Sequence, residues 1–114
     1  MSEGSAAGRV NRRLTARKTC VLTVRYRMKK DWHPATAINL STSGCRLRLG
    51  ESLPHGAALT VIFEQPLADG ATGVAAEAQG TVTWSRLEGL SYTAGIRFTD
   101  APLPALDDLL VAIG

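Results

Sequence analysis

Apolar and polar residues alternate along most of the chain from Thr19 onward. In the first such segment an apolar side chain recurs at every second position, which predicts a strand with one buried face. These positions are Cys20, Leu22, Val24, Tyr26 and Met28. The segment "KKDWHP" then turns the chain and "ATAIN" begins a second strand, so the pattern predicts a hairpin.

Four further segments repeat the period of two, and loops that contain Pro or Gly separate most of them. Strands three, four and six have their apolar positions at Cys45, Leu47 and Leu49, at Leu59, Val61 and Phe63, and at Tyr92, Ala94, Ile96 and Phe98. The fifth strand is the longest, and its expected core face is Val74, Ala76, Ala78, Gly80, Val82 and Trp84. The segment "SRLEGLS" is expected to turn the chain into the sixth strand.

The C-terminal segment changes period. Its apolar residues Leu103, Leu106, Leu110 and Ile113 recur at helical spacing, and Pro104 is suited to a first helical turn. Six strands and a terminal helix predict an all-β fold, an antiparallel barrel or sandwich with the helix packed against it. The length of 114 residues allows one domain, expected over residues 12–114, after a flexible, small and polar leader at residues 1–11.

Charge is distributed unevenly along the chain. Residues 1–30 contain nine basic residues and only Glu3 as an acid, whereas residues 31–114 contain four basic and nine acidic residues. The nine are Arg9, Arg12, Arg13, Arg17, Lys18, Arg25, Arg27, Lys29 and Lys30. A basic arm ahead of an acidic body is either a solvated leader or a binding element for phosphates.

Several classes of protein find no support in the sequence. It has no nucleophile elbow, no Walker loop and no paired carboxylates in a plausible cleft, so we expect no catalytic residues and no enzyme. Cys20 and Cys45 lack CxxC spacing, and His33 and His55 have no partner at metal-ligand spacing, so we expect no metal. Without a long apolar run or a secretory signal, we expect a soluble, cytoplasmic protein that does not contact the membrane.

Two short stretches carry the candidate chemistry. "RRLTAR" holds Arg12, Arg13 and Arg17, whose guanidinium groups can bind phosphate oxygens or guanine edges. "NLSTSG" holds Asn39 and Ser41 as hydrogen-bonding side chains, and Gly44 as a position that admits a ligand without a Cβ. Taken alone, the first stretch fits a solvated run of charge, and the second fits a loop in which Asn and Ser bond their own backbone.

Together the two stretches resemble the signature of the PilZ domain family, RxxxR followed by [D/N]xSxxG. "RRLTAR" at 12–17 and "NLSTSG" at 39–44 match it, and "GTVTW" at 80–84 and "AGIRF" at 94–98 look like the family's later strands. The resemblance covers residues 12–112. It implies a six-stranded antiparallel β-barrel with a C-terminal helix, and a bacterial receptor for the second messenger cyclic di-GMP.

The resemblance also implies a role for each matching arm residue. Arg13 and Arg17 would clamp phosphates and guanine edges from the N-terminal arm. Arg12, directly before the motif, would favour a stacked pair of ligand molecules over a single one. The ligand would order the basic arm on the barrel, and an unidentified effector protein would read the surface so formed.

On the barrel, Asn39 and Ser41 would hydrogen-bond a guanine and Gly44 would make room for it. Asn39 stands where Asp is the commoner family residue. An amide cannot replace the second acceptor of a carboxylate, so we expect binding weakened about tenfold rather than abolished.

Two alternatives remain open at this point. The first is a PilZ-like adaptor that acts through protein contacts without binding the nucleotide. The second is a small β-barrel that binds nucleic acid through its basic arm. Aromatic residues make up only 5% of the chain and the body is acidic, and both features argue against the second alternative.

Overall fold

A computed structural model describes residues 18–100 and 104–113 of the chain. Within them the elements are β1 (Lys18–Arg27), β2 (Trp32–Leu40), β3 (Gly44–Leu49), β4 (Ala58–Pro66), β5 (Thr72–Glu88), β6 (Ser91–Phe98) and α1 (Pro104–Ile113). The predicted leader at residues 1–11 and the arm residues Arg12, Arg13 and Arg17 lie outside the described residues.

The strands form a closed barrel in the order β1-β2-β3-β6-β5-β4, and every neighbouring pair is antiparallel. The predicted fold class, a six-stranded antiparallel barrel with a C-terminal helix, is therefore confirmed. Because the strands alternate in direction, the β2–β3 connection and the start of β1 lie at one end of the barrel. The β1–β2, β3–β4 and β5–β6 connections lie at the opposite end.

The inward faces of the strands fill the barrel with apolar side chains. Alternate positions of β3 are buried, as the period of two predicts, whereas β1 is fully buried at Val24 and Tyr26 alone and β6 is buried at residues 93–96 and 98. The fully buried side chains include Tyr26, Phe63, Leu47, Ile96 and Val61. The rings of Phe63 and Phe98 meet edge to face, with their centroids 6.3 Å apart.

Helix α1 packs against β5 and β1. Leu106 and Leu109 bury their side chains there, and Leu110 is half-buried. The predicted spacing included Leu106 and Leu110 but not Leu109, and Leu103 lies outside the described residues. Lys18 Nζ donates a hydrogen bond of 3.2 Å to the carbonyl oxygen of Leu110. A cation from β1 thus contacts the last turn of a helix that has no basic residue of its own there, as the helix dipole favours.

Strand β5 departs from its predicted core face at both ends. Val74 is 54% exposed, and Trp84 lies on the outer surface of the barrel. The register shifts near each position, between Phe63 and Glu64 on the β4 side and between Val82 and Trp84 on the β6 side. A bulge adds a residue to the strand and inverts the alternation beyond it, so the prediction of Trp84 in the core is wrong.

The turn between β5 and β6 is also shorter than predicted. The strands pair as far as Glu88 and Ser91, which leaves only Gly89 and Leu90 between them. Gly89 has a φ of 68°, a conformation that favours glycine in tight hairpins. Among the described residues no helix is long and apolar enough to cross a membrane.

Candidate functional site

The pairing of β1 with β2 brings the two sequence motifs toward one place. Lys18, the residue that directly follows "RRLTAR", lies opposite Leu40, and Thr19 lies opposite Asn39. Leu40 in turn directly precedes Ser41. The chain therefore enters the barrel from the arginine motif beside the loop that carries the second motif.

The β2–β3 loop is held together by hydrogen bonds of its own. Ser41 is completely buried, and its backbone N–H donates to the carbonyl oxygen of Gly44 at 2.9 Å. The Ser41 hydroxyl accepts a bond from the backbone N–H of Ser43 at 3.2 Å. The same oxygen lies 3.0 Å from Ser43 Oγ and 3.3 Å from the Gly44 carbonyl oxygen. Ser41 therefore braces the loop from inside.

Gly44 is fixed by the close approach of β3 to β6. It pairs with Arg97, and a Cβ at this position would lie 2.1 Å from the carbonyl oxygen of Ile96. No side chain fits there without a shift of backbone. The Phe98 backbone N–H also donates to the Ser43 carbonyl oxygen at 2.9 Å, which ties the loop to the end of β6. The sequence pattern suggested space for a ligand at Gly44, and the barrel itself supplies a second reason for the glycine.

Asn39 lies half-buried on the outer surface of the barrel. Its neighbours in the strand registers form one row across five strands. That row, called here the outer row, consists of Thr19, Asn39, Arg46, Gly95 and Trp84. Asn39 thus stands between the start of β1 and a cluster of arginines on β3 and β5.

Trp84 is the main feature of this surface that the sequence pattern missed. Its indole lies against Gly95, where a Cβ would approach Trp84 Nε1 to 2.2 Å. The guanidinium groups of Arg46 and Arg86 lie over the ring, with Cζ 5.3 and 4.9 Å from its centroid. A glycine inside a strand often marks the close approach of another group. Gly95 was therefore the feature of the sequence that could have indicated a large side chain packed against β6.

Glu88 holds one of these arginines in place. Its carboxylate accepts a bond of 2.7 Å from Arg86 Nε and another of 2.8 Å from the Thr93 hydroxyl. The hydrogen bond from Thr93, and then that from Arg86, lowers the pKa of Glu88 below its ordinary value. The carboxylate therefore stays charged and keeps the Arg86 side chain beside Trp84.

Four basic residues of the barrel lie on the strands of this side. All four that follow residue 30 lie on β3, β5 and β6, namely Arg46, Arg48, Arg86 and Arg97. Arg46 and Gly44 pair with Asn39 and Arg97 respectively, so the cluster adjoins the second motif. An anion would meet local positive charge here, although the described residues as a whole hold nine basic and nine acidic side chains. Within residues 18–100 and 104–113 no group of three His, Cys, Asp or Glu side chains is placed to hold a metal ion.

Comparison with known proteins agrees with this architecture. The family model of the PilZ domain matches residues 11–113. The solved structure of the inhibitor of motility (MotI/DgrA) from Bacillus subtilis is similar, with a TM-score of 0.70 and 18% identity. The match covers 86% of this chain and 47% of that one, and at this identity it shows the fold alone. No curated protein sequence matches the chain.

Proposed function

Because the chain belongs to the PilZ domain family, a family of receptors and adaptors, we propose that it binds cyclic di-GMP and passes the signal to a partner protein. The proposed ligand site combines the arginine motif with the β2–β3 loop. Its residues are Arg12, Arg13, Arg17, Asn39, Ser41 and Gly44.

The observation that carries the proposal is the pairing of Lys18 with Leu40. Arg17 is bonded directly to Lys18, and Arg13 is five residues from it. Since an extended chain spans at most about 3.6 Å per residue, the Cα of Arg13 lies within about 18 Å of Lys18. The length of chain between them and Lys18 therefore allows both arginines to contact a ligand bound at Asn39.

The residues of the second motif have different roles in the proposed site. Asn39 faces outward, where its amide oxygen can accept from a guanine edge. The Ser41 hydroxyl is engaged within the loop, so Ser41 acts by holding the loop in shape as well as by any contact with the base. Gly44 keeps the loop close to β6.

The outer row extends the proposed site beyond the two motifs. Arg46 pairs with Asn39 and also reaches the Trp84 ring. An aromatic ring with two guanidinium groups offers a surface for a purine base and for phosphate oxygens. A compact dinucleotide with two phosphates fits this local positive charge better than a long polyanion, which would also meet acidic side chains elsewhere on the barrel.

Signalling would follow from the position of the arm. A free basic arm repels itself, and a dianionic ligand that binds both the arm and the barrel would order the arm beside Lys18. Arg12 adds a third guanidinium, which would favour a second, stacked ligand molecule. The partner protein would recognise the ordered arm.

A second candidate function also has an observation in its favour. Ser41 and Gly44 each have a structural role inside the barrel that needs no ligand. Two residues of the second motif would thus be retained in a PilZ-like adaptor that binds only protein. The receptor is the better-supported proposal, because the sequence also holds the complete arginine motif directly ahead of β1.

Isothermal titration with cyclic di-GMP distinguishes the two functions. GMP and a short single-stranded DNA serve as ligand controls, and the Arg13→Ala/Arg17→Ala variant serves as the protein control. A receptor gives saturable heat with cyclic di-GMP alone, and the variant loses it while its melting temperature is unchanged. Absence of heat and of any melting shift at about millimolar ligand would favour the adaptor, and equal binding of DNA would favour the nucleic-acid binder.

A further inference from the structure

The β1–β2 hairpin carries a second basic surface, at the end of the barrel opposite the β2–β3 loop. Its residues, called here the hairpin surface, are Arg25, Arg27, Lys29, Lys30 and Trp32. Because a strand rises about 3.3 Å per residue, Trp32 lies about 23 Å from Asn39 along β2. The hairpin surface is therefore separate from the proposed nucleotide site.

Trp32 is half-buried beneath two guanidinium groups. Arg27 Cζ lies 4.8 Å and Arg25 Cζ 5.6 Å from the centroid of its ring. Arg25 is held in turn by Glu64, with Nε 2.5 Å from Oε2. Tryptophan and arginine dominate the binding energy of protein interfaces, and side chains fixed before binding lose little entropy on contact.

The hairpin has an excess of positive charge. Residues 25–34 contain four basic residues and Asp31 as the one acid. The side chains of Arg27, Lys29 and Lys30 are all exposed. Glu64, the carboxylate of β4 that contacts this surface, is already paired with Arg25. The surface is therefore complementary to an acidic segment.

The two sides of the hairpin differ in what they would accept. A depression of about 350 Å³ on one side is lined by Tyr26, Met28, Lys29, Lys30 and His33, and also by the carboxylates Asp31 and Glu51. On the other side, a depression of about 220 Å³ is lined without any carboxylate. Its lining is Arg27, Met28, Lys29, Ala58, Leu59, Thr60 and Gln79.

The second depression also presents a polar donor. The Thr60 hydroxyl donates to the side-chain oxygen of Gln79 at 2.8 Å, and this leaves the Gln79 NH2 group to donate outward. Carboxylates placed there would meet Arg27, Lys29 and an amide donor. On this side an acidic segment meets cations and no carboxylate, whereas on the other side Asp31 and Glu51 offset the charge of Lys29 and Lys30.

We propose that the hairpin surface binds an acidic segment of a partner protein, with its carboxylates against Arg27 and Lys29 and an apolar side chain against Trp32. This assignment names the class of partner for the receptor proposed above. Binding of the acidic segment to the hairpin surface does not depend on the receptor function. Only the signalling that would follow from this binding rests on the proposed receptor. A partner here would contact the strand whose other end follows the arginine motif.

Tryptophan fluorescence of the full chain tests this proposal. Trp84→Phe leaves Trp32 as the single tryptophan, and the probe is a short peptide of alternating Glu and Leu. Peptides of alternating Gln and Leu, and of Lys and Leu, serve as ligand controls. We expect a saturable change with the acidic peptide alone, weakened by raising the ionic strength above about 0.15 M. Arg27→Glu should weaken it about tenfold or more.

Arg48→Glu is the matched control variant, since it changes the net charge equally at an exposed site on β3 and should leave peptide binding unchanged. If Arg27→Glu fails to fold, Lys29→Glu/Lys30→Glu tests the same charge in the connection outside the strands. The proposal would be overturned if the acidic peptide caused no saturable change in fluorescence, if the Gln peptide bound equally well, or if Arg27→Glu bound the acidic peptide as tightly as the parent. Stronger binding of single-stranded DNA or of phosphatidylglycerol vesicles would overturn it too. Cyclic di-GMP is titrated separately into the unsubstituted chain, which keeps Trp84, so absence of that binding alone contradicts the receptor and not the hairpin surface.

Discussion

Lys18 lies opposite Leu40 in the antiparallel ladder of β1 and β2. This pairing joins the end of the arginine motif to the residue before Ser41, although 23 positions separate Arg17 from Leu40 in the sequence. A ligand at this corner of the barrel would contact both motifs. The pairing is therefore the structural basis of the proposed receptor.

Replacement of Gly44 by alanine should destabilise the barrel. The new Cβ would lie 2.1 Å from the Ile96 carbonyl oxygen, and backbone of β3 or β6 must move to relieve the clash. We expect a loss of about 2–3 kcal/mol in the free energy of unfolding, measured by urea denaturation. Gly50→Ala is the matched control, since a Cβ there meets nothing within 4 Å. Equal stability of the two variants would contradict the structural role assigned to Gly44.

Replacement of Ser41 by alanine should loosen the β2–β3 loop. The change removes a buried hydroxyl that accepts from the Ser43 N–H, and we expect a loss of about 1–3 kcal/mol. Ser43→Ala removes the contact of an exposed hydroxyl with Ser41 Oγ but keeps the bond from the Ser43 N–H, and should cost less, about 1 kcal/mol or below. Thermal denaturation of both proteins measures the difference. A Ser41→Ala variant as stable as the parent would show that the hydroxyl does not brace the loop.

Replacement of Asn39 by aspartate should strengthen binding of cyclic di-GMP. A carboxylate can accept from both N–H groups of a guanine edge, whereas the amide offers a single acceptor oxygen. We expect affinity to rise about tenfold in calorimetric titration, and Asn39→Ala to lower it. Unchanged affinity in both variants would place the guanine away from Asn39.

Stability at high pH should depend on Tyr26. Burial, then the hydrogen bond to Glu51 and the charge of that carboxylate, raises the pKa of Tyr26 well above its ordinary value near 10. The folded protein therefore keeps a proton that the unfolded chain loses. The stabilisation is complete below about pH 10 and falls as pH rises toward the folded pKa, by up to about 1.4 kcal/mol per pH unit.

Urea denaturation at pH values from about 8 to 11 measures this dependence. Tyr26→Phe is the control, because it keeps the buried ring and removes the titrating hydroxyl. Its stability should fall less steeply above pH 10 than that of the parent. Parallel pH profiles for the two proteins would contradict the assignment to Tyr26.

The fold could be predicted from the sequence because a barrel buries one face of every strand. Val24, Leu47 and Ile96 alternate with polar residues and point inward, so a period of two in the sequence corresponds directly to inside and outside. The C-terminal helix could also be predicted, because the apolar residues from Leu103 onward recur at helical spacing and no longer at every second position. Both patterns are local, because each strand or helix shows its own periodicity in its own stretch of sequence.

The missed features depend on contacts between strands. The alternation through Val82 and Trp84 does not reveal the bulge that turns Trp84 outward onto Gly95. The Ser41 hydroxyl looked available for a ligand, and only the loop geometry shows its bonds to Ser43 and Gly44. The positions of Arg12, Arg13 and Arg17 stay predictions, since these residues lie outside the described part of the chain.

Amide chemical shifts during a titration with cyclic di-GMP test the receptor most directly. We expect the signals of Lys18, Thr19 and the loop from Ser41 to Gly44 to shift together with one dissociation constant, along with the Trp84 indole. Amides at Lys29 and Lys30, at the other end of the barrel, should not move. Shifts confined to that opposite end, or an unchanged spectrum at about millimolar ligand, would contradict the proposed site.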